Sequence, residues 1–142
     1  MRGDVADMGD VRGTRRRPWR LRTPRDGAEF AAYRDPGSEP AAIVVRAGSL
    51  ELRYHLRCLN DLHEMLKELG GWMVLGGAEE KTTAAPGTVE AWARSAANPV
   101  KGWYGLQKGA RGRFADFIPP IMEALALAEV EKGPGAPRMR AI

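Results

Sequence analysis

AAIVVRAGSLELRYHLRC, residues 41–58, consists of two runs of different texture joined by two small residues. In the second run Leu50, Leu52, Tyr54, Leu56 and Cys58 alternate with Glu51, Arg53, His55 and Arg57, the period of two that a half-buried strand demands. The first run, AAIVVRA, is apolar and rich in β-branched residues, and reads as a neighbouring strand. Gly48-Ser49 between them fits a two-residue hairpin loop, since glycine supplies the positive φ of a type II′ turn. An antiparallel pair therefore anchors the fold.

Two further strand candidates precede this pair, WRLR at 19–22 and EFAAYR at 29–34, with the turn cluster DPGSEP at 35–40 behind them. Together they predict an antiparallel sheet from Trp19 to about Arg57. After it, Asp61 and Glu64 form a capping-box-like start. Leu62, Met65, Leu66 and Leu69 then recur at helical spacing, which predicts a helix over 62–69 that ends at Gly70-Gly71. WMVL at 72–75 reads as a short buried strand, and GGAEEKTTAAPG at 76–87 as a surface linker. Thr88 is placed to cap a helix, VEAWARSA, that Asn98-Pro99 stops. RFADFIPPIMEALALAEV at 113–130 reads as helix, proline break and helix, with Pro120 in the first turn of the second. The end, AEVEKGPGAPRMRAI, reads as a hairpin.

The fold class expected is therefore α+β: an antiparallel N-terminal sheet packed with helices, then a C-terminal helix followed by a β-hairpin. That end resembles the recognition helix and wing of winged-helix regulators. Residues 1–17 hold charge and glycine but almost nothing apolar, and are expected to be a disordered basic arm. Residues 18–142 are expected to be a single domain, of ordinary size for one core.

Cys58 is the only cysteine, so no intrachain disulfide can form, which fits a reducing cytoplasm. The N-terminus has no apolar run of signal or membrane length, so a cytoplasmic protein without a membrane partner is expected. The net charge of +4 conceals a segregation. Residues 1–25 carry eight Lys+Arg against three Asp+Glu, residues 26–100 seven against eleven, and residues 101–142 seven against four. Positive ends favour an anionic partner, nucleic acid or an acidic protein surface.

Sites for chemistry are scarce. His55, Cys58 and His63 offer only three zinc-type ligands, and strand alternation sends His55 and Cys58 to opposite faces, so no metal is expected. Cys58 on an apolar face lacks the setting that activates a thiol. Glu79-Glu80 and the pair Asp61, Glu64 have ordinary explanations in solvation and capping. No catalytic residue and no cofactor is assigned, and a binding protein is favoured over an enzyme.

The candidate site is KGWYGLQKGARGRF, residues 101–114. Its glycines, at 102, 105, 109 and 112, match neither phosphate-loop spacing. It does contain GxxG, the backbone grip of KH domains, but Ala115 and Pro119-Pro120 depart from what should follow. Lys101, Lys108, Arg111 and Arg113 can neutralise phosphates, while Trp103 and Tyr104 can offer stacking faces to unpaired bases. The competing reading makes Trp103, Tyr104 and Phe114 core anchors of a glycine-rich loop, with the cations merely solvated. In the tail, Ile118 to Val130 contains no Lys, Arg, Asn or Gln, so a wing would have to contact through Lys132, Arg138 and Arg140.

The blocks PWRLRTP, EFAAYRD, DLHEMLKELGGWMVLG, GTVEAWARS, NPVKGWYGLQKG, RGRF and PPIMEALALAEVE, taken in order, resemble a family of small, functionally uncharacterised actinobacterial proteins over residues 18–142. That resemblance implies no activity. The expectation from the residues is a non-enzymatic cytoplasmic protein that binds nucleic acid through Lys101, Trp103, Tyr104, Lys108, Arg111 and Arg113. The alternative is a protein-protein interaction module with no nucleic-acid role.

Overall fold

The computed structural model describes residues 12–142. Strands β1 (Trp19–Arg22), β2 (Glu29–Asp35), β3 (Ala42–Ala47) and β4 (Leu50–His55) form an antiparallel sheet in sequence order. Ala47 pairs with Leu50 across Gly48-Ser49, and Gly48 has φ 61°, so the hairpin closes in two residues as its composition requires. The register places Trp19, Phe30, Ala32, Ile43, Val45, Leu52 and Tyr54 on the core face. On the outer face, charge alternates across strands: Arg22 meets Glu29, Arg46 meets Glu51, and Arg53 meets Asp35 at 2.7 Å.

Residues 12–17, expected in the disordered segment, lie against the sheet; residues 1–11 lie outside the described residues. Arg34 N donates to Gly13 O at 2.8 Å, and the Arg15 guanidinium sits 5.0 Å from the Tyr33 ring centroid. Gly13 has φ 91°, and a Cβ there would lie 2.4 Å from the Trp19 ring. Backbone pairing and arginine stacking hold this turn without apolar side chains of its own.

Helix α1 spans Cys58–Leu69, four residues earlier than the apolar spacing predicts. The alternation of 50–58 stops at His55, because Leu56 N turns to bond Ala41 O and Arg57 adopts a helical backbone. Cys58 is thus a buried helical residue, its thiol pKa pushed far up by desolvation, and not a strand residue. Asp61 is no cap; it lies inside the helix, where it accepts from Arg57 and Tyr104. Gly70 ends α1 in the left-handed region, φ 73°.

The remaining elements are β5 (Met73–Val74), the short helix α2 (Val89–Trp92), α3 (Phe114–Ala124), β6 (Ala128–Glu131) and β7 (Arg138–Ala141). Thr88 caps α2, its Oγ1 accepting from Ala91 N at 3.2 Å. Prolines 119 and 120 do not divide the chain into two helices, as their residue type suggests; α3 runs through both. Six consecutive residues, Phe117 to Met122, are buried, so α3 is a core helix packed on all sides, and that burial offsets two lost backbone bonds. The polypeptide after Ala124 is not helical: Ala126 has φ 59°, and Ala128 already belongs to β6.

The second sheet has the order β5-β7-β6, so the C-terminal hairpin gains a third strand through Met73↔Met139. Helix α3 contacts both β1 and β6, and α1 contacts β7, which joins the two sheets through one core. Phe117 meets Phe30 edge-on, with centroids 5.0 Å apart. Phe117→Ala is expected to destabilise the fold by about 3–5 kcal/mol; urea unfolding checks it, and a loss well under 1 kcal/mol would show that α3 is not the shared core.

Candidate functional site

The loop from Lys101 to Arg113 is held by backbone contacts that follow from its glycines. His55 N donates to Tyr104 O at 2.9 Å and Leu106 N to Arg53 O at 2.8 Å, so residues 104–106 run along the edge of β4, with Tyr54 bridged to Gly105. A Cβ on Gly105 would lie 2.4 Å from Arg111 Cα, and one on Gly112 would lie 2.3 Å from Glu80 N. These two glycines permit backbone to pass against backbone. Tyr54 Oη donates to Gly112 O at 2.7 Å and closes the loop from beneath.

The six predicted site residues take different places. Tyr104 is 0% exposed; its ring stacks on Trp92 at 5.1 Å and its hydroxyl donates to Asp61 at 2.8 Å, so it anchors the loop and has no face open to a base. Burial and the Asp61 carboxylate push its pKa up. Trp103 is partly exposed, with the guanidinium carbons of Arg94 and Arg111 each 4.4 Å from its ring centroid. Arg113 has φ 63°, bonds Asp116 at 3.2 Å and covers Phe117. Lys101 and Lys108 are exposed and have no ion-pair partner among the described residues. Lys81 is in the same condition and shares a cleft of about 320 Å³ with Gly109 and Arg113.

Arg111 is fully engaged. Its Nε and Nη2 donate to Glu80 at 3.0 and 3.1 Å, its backbone N–H donates to the same carboxylate at 2.8 Å, and Gly109 N adds two contacts at 3.0 and 3.1 Å. Glu80 belongs to the segment that composition marks as linker. The Arg111 guanidinium and then its N–H hold the Glu80 carboxyl down to about 2, against 4.5 ordinarily.

A second carboxylate organises the other side. Glu90 is 1% exposed and accepts from Ala115 N at 2.9 Å and Phe114 N at 3.3 Å, so it supplies the N-terminal cap that α3 lacks in its own sequence. Arg94 bonds Glu90 at 2.9 Å and also donates to the carbonyls of Ala78, Glu79 and Thr82. Burial raises the Glu90 pKa; the Ala115 N–H and Arg94 oppose that shift. Glu80 escapes a reading by motif because its partner Arg111 lies in another segment, and although Glu90 and Arg94 stand four residues apart, the backbone groups they bond lie at 78–82 and 114–115. The available local signals were the Glu79-Glu80 pair and the four-residue spacing of Glu90 and Arg94.

In the C-terminal hairpin, Lys132, Arg138 and Arg140 pair with Glu123, Glu131 and Glu129, and both arginines lie 4.5 Å from the Trp72 ring centroid. The wing cations are thus matched by carboxylates of their own sheet and of α3. Among the described residues no group of three metal-type ligands occurs, and no helix is long and apolar enough to cross a membrane.

The fold and loop define a small α+β protein with a braced basic loop. The chain belongs to DUF6855, a family of unknown function whose match covers residues 11–142. That span begins seven residues before the Pro18 boundary that its sequence blocks suggest, and takes in the ordered turn at Gly13. No curated protein and no solved structure matches the chain.

Glu90→Ala is expected to destabilise by about 3–5 kcal/mol, because it strands a buried guanidinium and uncaps α3; chemical denaturation measures it. For Glu80 the folded pKa is depressed, so its stabilisation is complete above about pH 4.5 and is lost as pH falls toward about 2. The stability gap between the wild type and Glu80→Gln should therefore narrow across that window in urea titrations at successive pH values. A gap independent of pH would contradict the charge-assisted contact.

Proposed function

We propose that the protein is a non-enzymatic cytoplasmic binding protein for an anionic partner, nucleic acid, contacted through the 101–113 loop and its rim. One observation carries the reading: three exposed lysines, Lys81, Lys101 and Lys108, have no acidic partner among the described residues, and they border a loop whose arginines are all matched. Exposed Arg16, Arg17, Arg20 and Arg25 likewise have no ion-pair partner among the described residues, so the loop lysines are one of two groups of uncompensated cations and the one that adjoins an aromatic side chain, Trp103. The lysines neutralise phosphates, while the faces of Trp103 are taken by Arg94 and Arg111, so the ring braces Arg111 and leaves only its edge to a partner. Tyr104 acts beneath as the anchor. The single buried cysteine is consistent with a reducing compartment.

Fluorescence anisotropy with a labelled single-stranded oligonucleotide at a series of salt concentrations tests the reading. Affinity should fall steeply with salt, and the Lys101→Ala/Lys108→Ala double variant should reduce the logarithmic slope by roughly 1.4, about 0.7 for each phosphate contact on a single strand. Absent or salt-insensitive binding overturns it. Leu50, 49% exposed at the edge of the cleft near Lys81, favours a second reading, an acidic protein partner with an apolar side chain. A partner retained in pull-down after nuclease treatment supports that reading.

A further inference from the structure

The environment of the Glu80 carboxylate has the chemistry of an oxyanion cradle: two backbone N–H groups, from Gly109 and Arg111, and the planar fork of the Arg111 guanidinium converge on one pair of oxygens. Two non-bridging oxygens of a phosphodiester present the same fork to those donors.

The cradle is built by contacts other than its occupant. Arg111 is fixed by its stack on Trp103 and by the close passage of Gly105 over its backbone. The backbone that carries Glu80 is fixed separately: Arg94 donates to the Ala78, Glu79 and Thr82 carbonyls, and Arg113 N donates to Ala78 O at 2.7 Å. The Glu80 side chain can therefore leave while both walls stay in place. Exposed Lys108 precedes Gly109, and Lys81 follows Glu80, so positive charge flanks the cradle on both sides in sequence. Exchange of one anion for another keeps Arg111 paired throughout.

We propose that this cradle is the phosphate-binding site of the loop, and that Glu80 fills it in the unbound chain as a built-in competitor that leaves when a nucleic-acid phosphate enters. The proposal rests on the nucleic-acid reading above. It adds Gly109, Arg111 and Glu80 as the residues that set affinity and explains why a segment with no regular structure carries a carboxylate into the middle of a basic loop.

The test uses the full chain with Glu80→Ala, with Glu80→Gln as the milder variant that preserves shape if alanine fails to fold, and with Glu79→Ala as a control that removes the same charge one residue away. Glu80→Ala should bind a labelled single-stranded oligonucleotide about tenfold tighter than wild type, with a salt slope steeper by about 0.7. Glu80→Gln should gain less, and Glu79→Ala no more than about twofold. In ¹⁵N-resolved NMR, the Gly109 and Arg111 amide signals should move on addition of inorganic phosphate in the Glu80 variants and remain still in wild type. Folded Glu80 variants that bind no tighter than Glu79→Ala overturn the proposal, as do amide signals that ignore phosphate or respond to acetate alone. The NMR arm separates the two readings: if no variant binds the oligonucleotide, the functional reading fails, and phosphate-dependent movement still establishes the cradle.

Discussion

The buried pair Glu90–Arg94 is the contact on which the second half of the chain depends. Between Val74 and Phe114 regular structure is limited to a single turn of helix, so apolar periodicity cannot organise it. One carboxylate caps α3 and one guanidinium ties down three carbonyls of the preceding segment, and the two groups bond each other. Taking both charges out of water is expensive, so such a pair adds little net stability by itself. Its contribution is to select one path for a stretch that has few other reasons to take it. The hydrogen bonds around it are almost complete: among the described residues the one buried side-chain nitrogen or oxygen with no partner is Arg94 Nε, whose guanidinium lies over the Trp103 ring.

From that pair the loop inherits its rigidity. Arg94 fixes Trp103, Trp103 supports Arg111, and Arg111 with Gly109 encloses Glu80, so a chain of contacts runs from the core helix to the surface. Gly105 and Gly112 allow that chain to close, because each lets one backbone lie directly against another. A loop with four glycines in fourteen residues would ordinarily be costly to order. Here the order comes from partners distant in sequence, and the glycines serve proximity rather than motion.

The first sheet was legible because its signals are local. The alternation from Leu50 to His55 and the two-residue turn at Gly48 specify strand, register and partner within fifteen residues. The C-terminal hairpin was legible for the same reason. Proline at 119 and 120 misleads because local backbone preference predicts a break, and the burial of Phe117 to Met122 between two sheets overrides it. The start of α1 was placed late, since Leu56 and Cys58 continue in sequence an apolar alternation that the turn at Leu56 interrupts in the fold. At the loop, composition marks the segment out but does not reveal the structural roles within it. Whether Tyr104 faces solvent or Trp92, and whether Arg111 faces a ligand or Glu80, is decided by residues 12 to 31 positions away. No spacing rule reaches that far.

The course of residues 104–106 along β4 covers an open sheet edge. Strand β4 is the last in its sheet, and an open last strand invites another chain to add to it. Tyr104 O and Leu106 N occupy the His55 and Arg53 backbone groups that such a chain would use. The loop is therefore also an edge guard. Any event that pulls it away from the sheet uncovers a template for strand addition, so the segment proposed to meet a partner is also the one that covers the open edge of β4.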